Sequence, residues 1–186
     1  MRRYRTISAL VLASLAVLAG RQSGVADDKA TQSRGQFSAD DYKFACEAAR
    51  GGILEVQAGD LARTQGASPT VRQFGERMVT DHTRAGNDLK AIASRRGATL
   101  PAALDRKDQR RLESLRKLTG RDFDVAYAKD MVEDHKEDLK LFQKAAQDAT
   151  DADLKAFATT GSGMIEQHLE AAKQMETIAK NEVATR

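Results

Sequence analysis

Apolar side chains recur every three or four positions through long stretches of the chain, with short polar breaks between the stretches. One stretch contains Val71, Phe74, Met78, His82, Ala85, Leu89 and Ile92. The same spacing passes through His135 in a later stretch and through His168 in the last one. Residues spaced in this way share one face of an α-helix. The pattern therefore predicts amphipathic helices whose inner faces each carry one histidine.

The earliest stretch has the same spacing but much smaller side chains. Its series is Ala45, Ala48, Gly52, Glu55, Gly59 and Ala62. Small residues leave room for a neighbouring helix to approach closely, here with one glutamate in the middle of the face. Four long helices with one inner face each predict an all-α four-helix bundle.

Local signals place the ends of these helices. Ser38 and Ser68 are suited to capping the first and second helices, and Pro69 fits a first helical turn. Gly97 ends the second helix, and Thr150 is expected to cap the last one. A short charged helix, interpreted as a solvated surface helix, lies between the second and third long helices. The predicted helices span residues 38–65, 68–96, 105–118, 122–147 and 151–180.

The first 26 residues have the three-part pattern of a secretory signal peptide. Three arginines precede an uncharged apolar run over residues 7–19, and small residues follow up to Ala26. This run is shorter than the ~20 residues of a spanning helix. We therefore predict export to the periplasm or cell envelope with cleavage after Ala26; an uncleaved anchor is the alternative. Arg21 occupies the place of a lipoprotein's modified cysteine, so no lipid anchor is expected.

Charge and composition limit the partners of the mature chain. Loss of residues 1–26 removes four arginines and no acidic residue, so the formal charge changes from +3 to −1. The basic footprint of a nucleic-acid-binding protein is then absent, and no nucleic-acid partner is expected.

Residues 27–37 are polar and predict a disordered linker. The bundle follows over 38–180 and a tail over 181–186. A homo-oligomer and an envelope partner both stay open.

The single cysteine excludes an internal disulfide. Cys46 lies inside a helical pattern, which favours a small buried apolar residue. An intermolecular disulfide is the alternative for an odd cysteine in an exported protein.

Several segments together resemble one known family, the domain of unknown function DUF4142. They are the run AARGGILEVQAGDLA over residues 48–62, the pattern Ser68-Pro-x-Val71-x-x-Phe74-Gly-x-x-Met78-Val-x-Asp-His82, Leu100-Pro101, and Gly120-x-x-Phe123-Asp-x-x-Tyr127. The resemblance covers about residues 38–180. The family is also labelled a predicted outer membrane protein and belongs to the ferritin-like superfamily. The resemblance implies an exported ferritin-like bundle and supplies no established reaction.

Four residues of ligand type fall at the centre of the predicted bundle. His82, His135 and His168 lie near the midpoints of the second, third and fourth long helices, and Glu55 lies near the midpoint of the first. Imidazole nitrogens and a carboxylate suit a single transition metal such as zinc, copper or iron. Asp81 and Asp134 directly precede two of the histidines and are candidates for support of the ligands.

Two other metal chemistries are less well supported by the sequence. A di-iron centre needs Glu-x-x-His on two helices, but Val79, Val132 and Ile165 stand three residues before the histidines. Each histidine follows a methionine by four residues, which would allow copper to bind through both, although methionines at this spacing are usually core residues.

The leading functional hypothesis is a non-catalytic envelope protein, structural or stress-associated, in which the buried polar residues fix the packing. The alternative is a metal-binding protein with a three-histidine and glutamate site. No catalytic motif stands out, so the sequence leans against an enzyme without deciding the matter.

Overall fold

The protein is all α-helical in the part of the chain that the structure describes. The computed structural model describes residues 33–184, and side chains up to residue 181. The predicted signal peptide over 1–26 lies outside the described residues. The helices are α1 (Ala39–Gln65), α2 (Pro69–Arg95), α3 (Arg106–Arg116), α4 (Gly120–Asp148) and α5 (Ala152–Ala184). This confirms the predicted four long helices with a short helix between the second and third.

The four long helices form two antiparallel hairpins, α1 with α2 and α4 with α5. In addition, α1 packs on α4, α2 packs on α5, and α3 lies against both α1 and α4. The backbone of Gly120 pairs with that of Gly66, which places the start of α4 beside the turn between α1 and α2. The connection from α2 to α4 must therefore run back along the bundle. One long crossover between two hairpins is the ferritin-like arrangement.

The packed part of the chain begins earlier than the predicted boundary at residue 38. Phe37 is buried at 3% exposure, and the backbone N–H of Gln36 donates to the Arg96 carbonyl at 2.9 Å. At the other end, α5 continues to Ala184, four residues past the predicted end at 180.

Cys46 is buried in α1, at 6% exposure. None of the described helices is long and apolar enough to cross a membrane.

Two of the three predicted caps form, and the third is replaced by its neighbour. The Ser38 hydroxyl accepts from the Asp41 N–H at 3.0 Å, and the Ser68 hydroxyl accepts from the Val71 N–H at 3.1 Å. The prediction that Thr150 caps the last helix is wrong. Asp151 takes that place by accepting from the Leu154 N–H at 3.0 Å.

Asp41 explains why Thr150 is not the cap. The buried Asp41 carboxylate accepts the Thr150 hydroxyl at 2.5 Å and the backbone N–H groups of Thr150 at 3.1 Å and Asp151 at 3.0 Å. At the opposite end of the bundle, buried Asp124 accepts the N–H groups of Ala67 at 2.9 Å and Ser68 at 2.8 Å. One carboxylate at each end therefore ties one helical hairpin to the turn of the other.

The core consists of two hydrophobic clusters, one toward each end of the bundle. The first surrounds Phe74, Phe123 and Tyr127, and the second surrounds Phe44 and Phe142. Along α2, α4 and α5 the residues of one cluster give way to those of the other close to the histidine of that helix. The buried polar residues thus lie in a layer where the two clusters meet.

The helices α1 and α2 touch backbone to backbone near the first cluster. A Cβ placed on Gly75 would lie 2.6 Å from the Ala62 Cβ and 2.7 Å from the Gly59 carbonyl oxygen. A Cβ on Gly59 would lie 2.7 Å from the Gly75 carbonyl oxygen. The predicted close approach of a neighbouring helix to the small residues of α1 is therefore present. Gly75 is the glycine of α2 at this contact.

We expect Gly75→Ala to destabilise the protein by roughly 1–3 kcal/mol, because the added methyl group would force two backbones apart. Gly163→Ala is the matched control, since a Cβ at this helical glycine of α5 would meet no atom within 4 Å. The control should stabilise the protein by about 0.5–1 kcal/mol, as alanine is the better helix former. Chemical denaturation measures both, and equal effects of the two substitutions would contradict the close contact.

The bonds to Asp41 should make stability depend on pH. Burial acts to raise the pKa of Asp41, but the hydrogen bonds from Thr150, Asp151 and Ser38 lower it overall. The stabilisation is then present above the unfolded pKa of about 3.9 and is lost as the pH falls through the lowered folded value. Asp41→Asn should cost roughly 1–3 kcal/mol at pH 7 and flatten the acid limb of the denaturation profile. Exposed Asp40→Asn should do neither, and an unchanged acid limb in Asp41→Asn would refute the assignment.

Candidate metal centre

Four buried polar side chains meet in the layer between the two clusters, one from each long helix. Glu55 comes from α1, His82 from α2, His135 from α4 and His168 from α5. Glu55, His135 and His168 are completely buried, and His82 is 6% exposed. The helical spacing of the sequence placed all four on inner faces, and the structure brings them to one level.

The three histidines form a compact group. Their ring centroids are 6.1 Å apart for His82 and His135, 5.4 Å for His82 and His168, and 5.5 Å for His135 and His168. One nitrogen from each ring lies within 4.8 Å of one nitrogen from each of the others. Three buried ring nitrogens, again one from each histidine, have no hydrogen-bond partner: Nε2 of His82, Nε2 of His135 and Nδ1 of His168.

The second nitrogen of each ring contacts a neighbour. His135 Nδ1 lies 2.8 Å from the Met131 carbonyl oxygen, which can only accept, so this nitrogen carries the hydrogen. His168 Nε2 lies 3.0 Å from Oδ2 of Asp81 and donates to that carboxylate. In both rings the lone pair is therefore left on the nitrogen without a partner. This is the arrangement in which an oriented, neutral imidazole can act as a metal ligand.

Glu55 lies beside two of the histidines and belongs to a second group. Its Oε2 is 2.7 Å from His82 Nδ1 and its Oε1 is 3.1 Å from His135 Nε2. These atoms do not meet in hydrogen-bond geometry, so both carboxylate oxygens are buried without a hydrogen bond. Ligand atoms of Glu55, Asp134 and His135 lie within 4.8 Å of one another. The structure thus gathers the histidines in one group, and Glu55 is linked to it through His135 and His82.

The two predicted supporting aspartates have different surroundings. Asp81 contacts His168 on α5 although it precedes His82 in the chain. It also accepts from Arg84 at 3.1 Å. Burial acts to raise the pKa of Asp81, but the hydrogen bond from His168 and the nearby arginines lower it overall. Asp81 is therefore an ionised carboxylate that orients an imidazole from another helix.

Asp134 is held by a residue that the sequence analysis missed. The Arg111 guanidinium of α3 donates to Asp134, and also to Asp130 at 2.6 Å. Sequence reasoning treated the charges of α3 as a solvated face, but the Arg111 side chain is only 24% exposed. Burial opposes its charge, yet Asp134 and Asp130 raise the pKa of Arg111 overall. Arg111 thus supplies a fixed positive charge beside the Glu55 group.

Burial changes the protonation of the centre in a consistent direction. It raises the pKa of Glu55 to about 8 and lowers the pKa of His82 to about 4 and of His168 to about 3. All three shifts favour the uncharged form, as expected for groups taken out of water. Near neutral pH the shifts therefore favour the protonated carboxyl group of Glu55 and the unprotonated rings of His82 and His168.

A second missed residue is Asp138, one turn after His135 on α4. Together with His82 it lines a small cavity of about 20 Å³ beside the centre. Burial, followed by the nearby Glu55, raises its pKa well above the ordinary value. The i, i+3 spacing from His135 is the sequence signal that would have placed it on the same side of the helix.

The fold and the buried cluster define a ferritin-like four-helix bundle with a histidine-rich centre. The chain belongs to the family described as Domain of unknown function (DUF4142), which it matches over residues 26–175. Its fold is similar to that in the crystal structure of a DUF305 fragment from Deinococcus radiodurans, with a TM-score of 0.63 and 14% sequence identity. That match covers 78% of this chain and 98% of the other, and it supports the fold alone. No curated protein matches the chain.

The contact of α3 with the centre can be tested by removing Arg111. Arg111→Ala would leave Asp134 and Asp130 partly buried without their cation, which should cost roughly 1–3 kcal/mol, less than for a fully buried pair. Arg116→Ala is the matched control on the same helix, because its pair with Glu113 is 52% exposed on both sides. The control should change stability by about 0.5 kcal/mol or less. Similar losses in the two variants, measured by urea denaturation, would refute the role of Arg111.

Proposed function

We propose that this protein binds a single divalent transition-metal ion through His82, His135 and His168. The observation that carries the proposal is the set of three unpartnered ring nitrogens on buried histidines whose ligand atoms lie within 4.8 Å of one another. A buried polar atom without a partner costs about 1–3 kcal/mol, so three together need a physical reason. A shared metal ion supplies one, since it would be the partner of all three lone pairs.

The donor set suits a borderline metal ion. Neutral imidazoles bind zinc, copper, iron and nickel, with metal–nitrogen distances of about 2.0–2.1 Å for zinc. Tetrahedral geometry with these distances separates the nitrogens by about 3.4 Å, so ring nitrogens that lie within 4.8 Å of one another would have to move closer on binding. Met78 and Met131 belong to the first hydrophobic cluster, and we assign them no ligand role.

A di-iron centre of the ferritin kind does not fit these residues. Such a centre uses several bridging carboxylates and a Glu-x-x-His motif on two helices. The positions three before the histidines are Val79, Val132 and Ile165, none of which has a ligand atom. Of the nearby carboxyl groups, those of Glu55 and Asp134 share a group of ligand atoms with His135, and two are too few for two iron ions. The proposal is therefore a mononuclear site.

We assign Glu55 the role of a supporting carboxylate. Its Oε2 lies 2.7 Å from His82 Nδ1, which is the place of a group that orients a ligand histidine. The Asp81 carboxylate and the Met131 carbonyl support His168 and His135 by hydrogen bonds. His82 differs, because the Glu55 oxygen lies near its second nitrogen outside hydrogen-bond geometry.

The alternative is a structural role for the same residues. It is favoured by the position of Glu55 within 3.1 Å of two imidazoles, which would let the layer fix helix register without any metal. In both cases we place the protein outside the cytoplasm, in the periplasm or cell envelope. The support for that location is the basic and apolar pattern of residues 1–26. The structural alternative corresponds to a non-catalytic envelope protein, structural or stress-associated, and no reaction is assigned.

Thermal melts separate the two functions. If the metal binds only the folded protein, a concentration 100 times the Kd stabilises it by about 2.7 kcal/mol, or roughly 5–10 °C in Tm. His135→Ala should abolish this increment for Zn²⁺, Cu²⁺ and Fe²⁺ relative to chelator. The control Leu169→Ala removes a buried neighbour of His168 that offers no ligand atom. It should lower Tm with chelator and keep the metal-dependent increment.

The structural alternative predicts the opposite order. His135→Ala would then lower the stability of the chelated protein by roughly 1–3 kcal/mol, and added metal would change neither protein. Absence of a metal-dependent shift in the wild type, together with no co-purifying metal in elemental analysis, would refute the metal proposal.

A further inference from the structure

Two glycines in the middle of α1 and α2 have no packing reason to be glycine. A Cβ built on Gly52 or on Gly86 would meet no atom within 4 Å. Gly59 and Gly75 on the same two helices would clash with backbone at 2.7 Å or less. Glycine inside a helix is less stable than alanine, so Gly52 and Gly86 weaken their helices without allowing a closer contact. What they do is leave space open.

This open space borders a surface groove and a small inner cavity at one of the proposed ligands, His82. The groove, of about 220 Å³, lies between α1 and α2 and is bordered by Leu100 and Pro101 from the crossover connection. On its inner side lies the cavity of about 20 Å³ that His82 and Asp138 line. Gly52, His82 and Gly86 line both the groove and the cavity. The two spaces therefore lie side by side at these three residues, one of which is the proposed ligand His82.

His82 is the histidine that this space reaches. It is 6% exposed, whereas His135 and His168 are completely buried. Its Nε2 is buried and has no hydrogen-bond partner. A proposed ligand histidine that lines an open groove points to exchange with the outside.

We propose that the gap between Gly52 and Gly86 is the access route by which a metal ion and a water-sized ligand reach the centre. The part that concerns the metal rests on the proposed function. Three histidine ligands leave the fourth tetrahedral position open, as in sites that bind an exchangeable water or substrate. The inner cavity exceeds the ~10–15 Å³ that one water needs, and Asp138 supplies a second polar group there. The class of ligand is thus a molecule of one or two heavy atoms, such as water, dioxygen or peroxide.

The first experiment measures metal uptake. Co²⁺ is mixed with the metal-free purified protein, and its visible absorption follows binding in stopped flow. Gly52→Leu and Gly86→Leu should slow both uptake and release by about tenfold or more, while the Kd stays unchanged because neither glycine is a ligand. Gly163→Leu adds the same side chain to an open helical glycine away from the groove and should leave both rates unchanged.

The second experiment needs no metal. Dissolved dioxygen under pressure should broaden the His82 ring resonances of the metal-free protein in NMR spectra, and the broadening should fall in Gly52→Leu and Gly86→Leu but not in Gly163→Leu. If either leucine variant fails to fold, as judged by circular dichroism, the alanine variants of the same glycines replace it, with a smaller expected effect in the same direction.

The outcomes separate the route from the site. Absence of Co²⁺ binding in the wild type would refute the metal site, and the dioxygen broadening would still decide the route. Equal Co²⁺ rates in the wild type and both groove variants, or equal dioxygen broadening of His82 in all variants, would overturn the access route while leaving the metal site in place.

Discussion

The burial of one carboxyl group and three imidazoles between two hydrophobic clusters is the constraint on which the remaining structure depends. Groups of this kind are stable away from water only when they are neutral or have partners. Glu55 and the histidines lie where the clusters meet, one on each long helix. If one helix slid by a turn, its polar group would enter an apolar cluster and an apolar side chain would enter the polar layer. The layer therefore fixes the register of all four helices.

Contacts far from the layer hold that register from the outside. Asp41 ties the start of α1 to the turn before α5, and Asp124 ties the start of α4 to the turn before α2. Arg111 joins the crossover helix to α4 next to His135. The two aspartate interactions cross between the helical hairpins, where no short connection of the chain exists, whereas Arg111 holds α3 on the helix that follows it. In each interaction, one buried or partly buried charged side chain accepts or donates several hydrogen bonds. These bonds hold together elements that the chain itself does not hold in place.

The sequence predicted the features that follow from periodicity and missed those that depend on a partner helix. Spacing alone identifies the inner face, so Glu55 and the three histidines could be assigned to the core before the structure was known. Spacing does not say how far one hairpin is rotated against the other. Two contacts depend on that rotation, those of Asp81 with His168 and of Thr150 with Asp41. The contact of Arg111 with Asp134 depends on where α3 packs on α4. The same holds for glycines. A series of small residues shows which helix face allows close approach, but only the facing backbone shows that packing requires Gly75 and does not require Gly86.

The protonation of the centre explains how it can be buried both without a metal and, under the proposed function, with one. Burial raises the pKa of Glu55 to about 8 and lowers the pKa of His82 to about 4 and of His168 to about 3. These three groups are then uncharged near neutral pH, which avoids the large cost of isolated ions in the core. His82 and His168 need not lose a proton to present a lone pair, so a cation competes with no proton on these two rings. A bound dication would in turn favour the ionised form of Glu55, and the carboxylate would offset part of its charge. Burial thus favours the uncharged forms of Glu55, His82 and His168 before binding, and the carboxyl group gains charge only when a cation is there to pair with it.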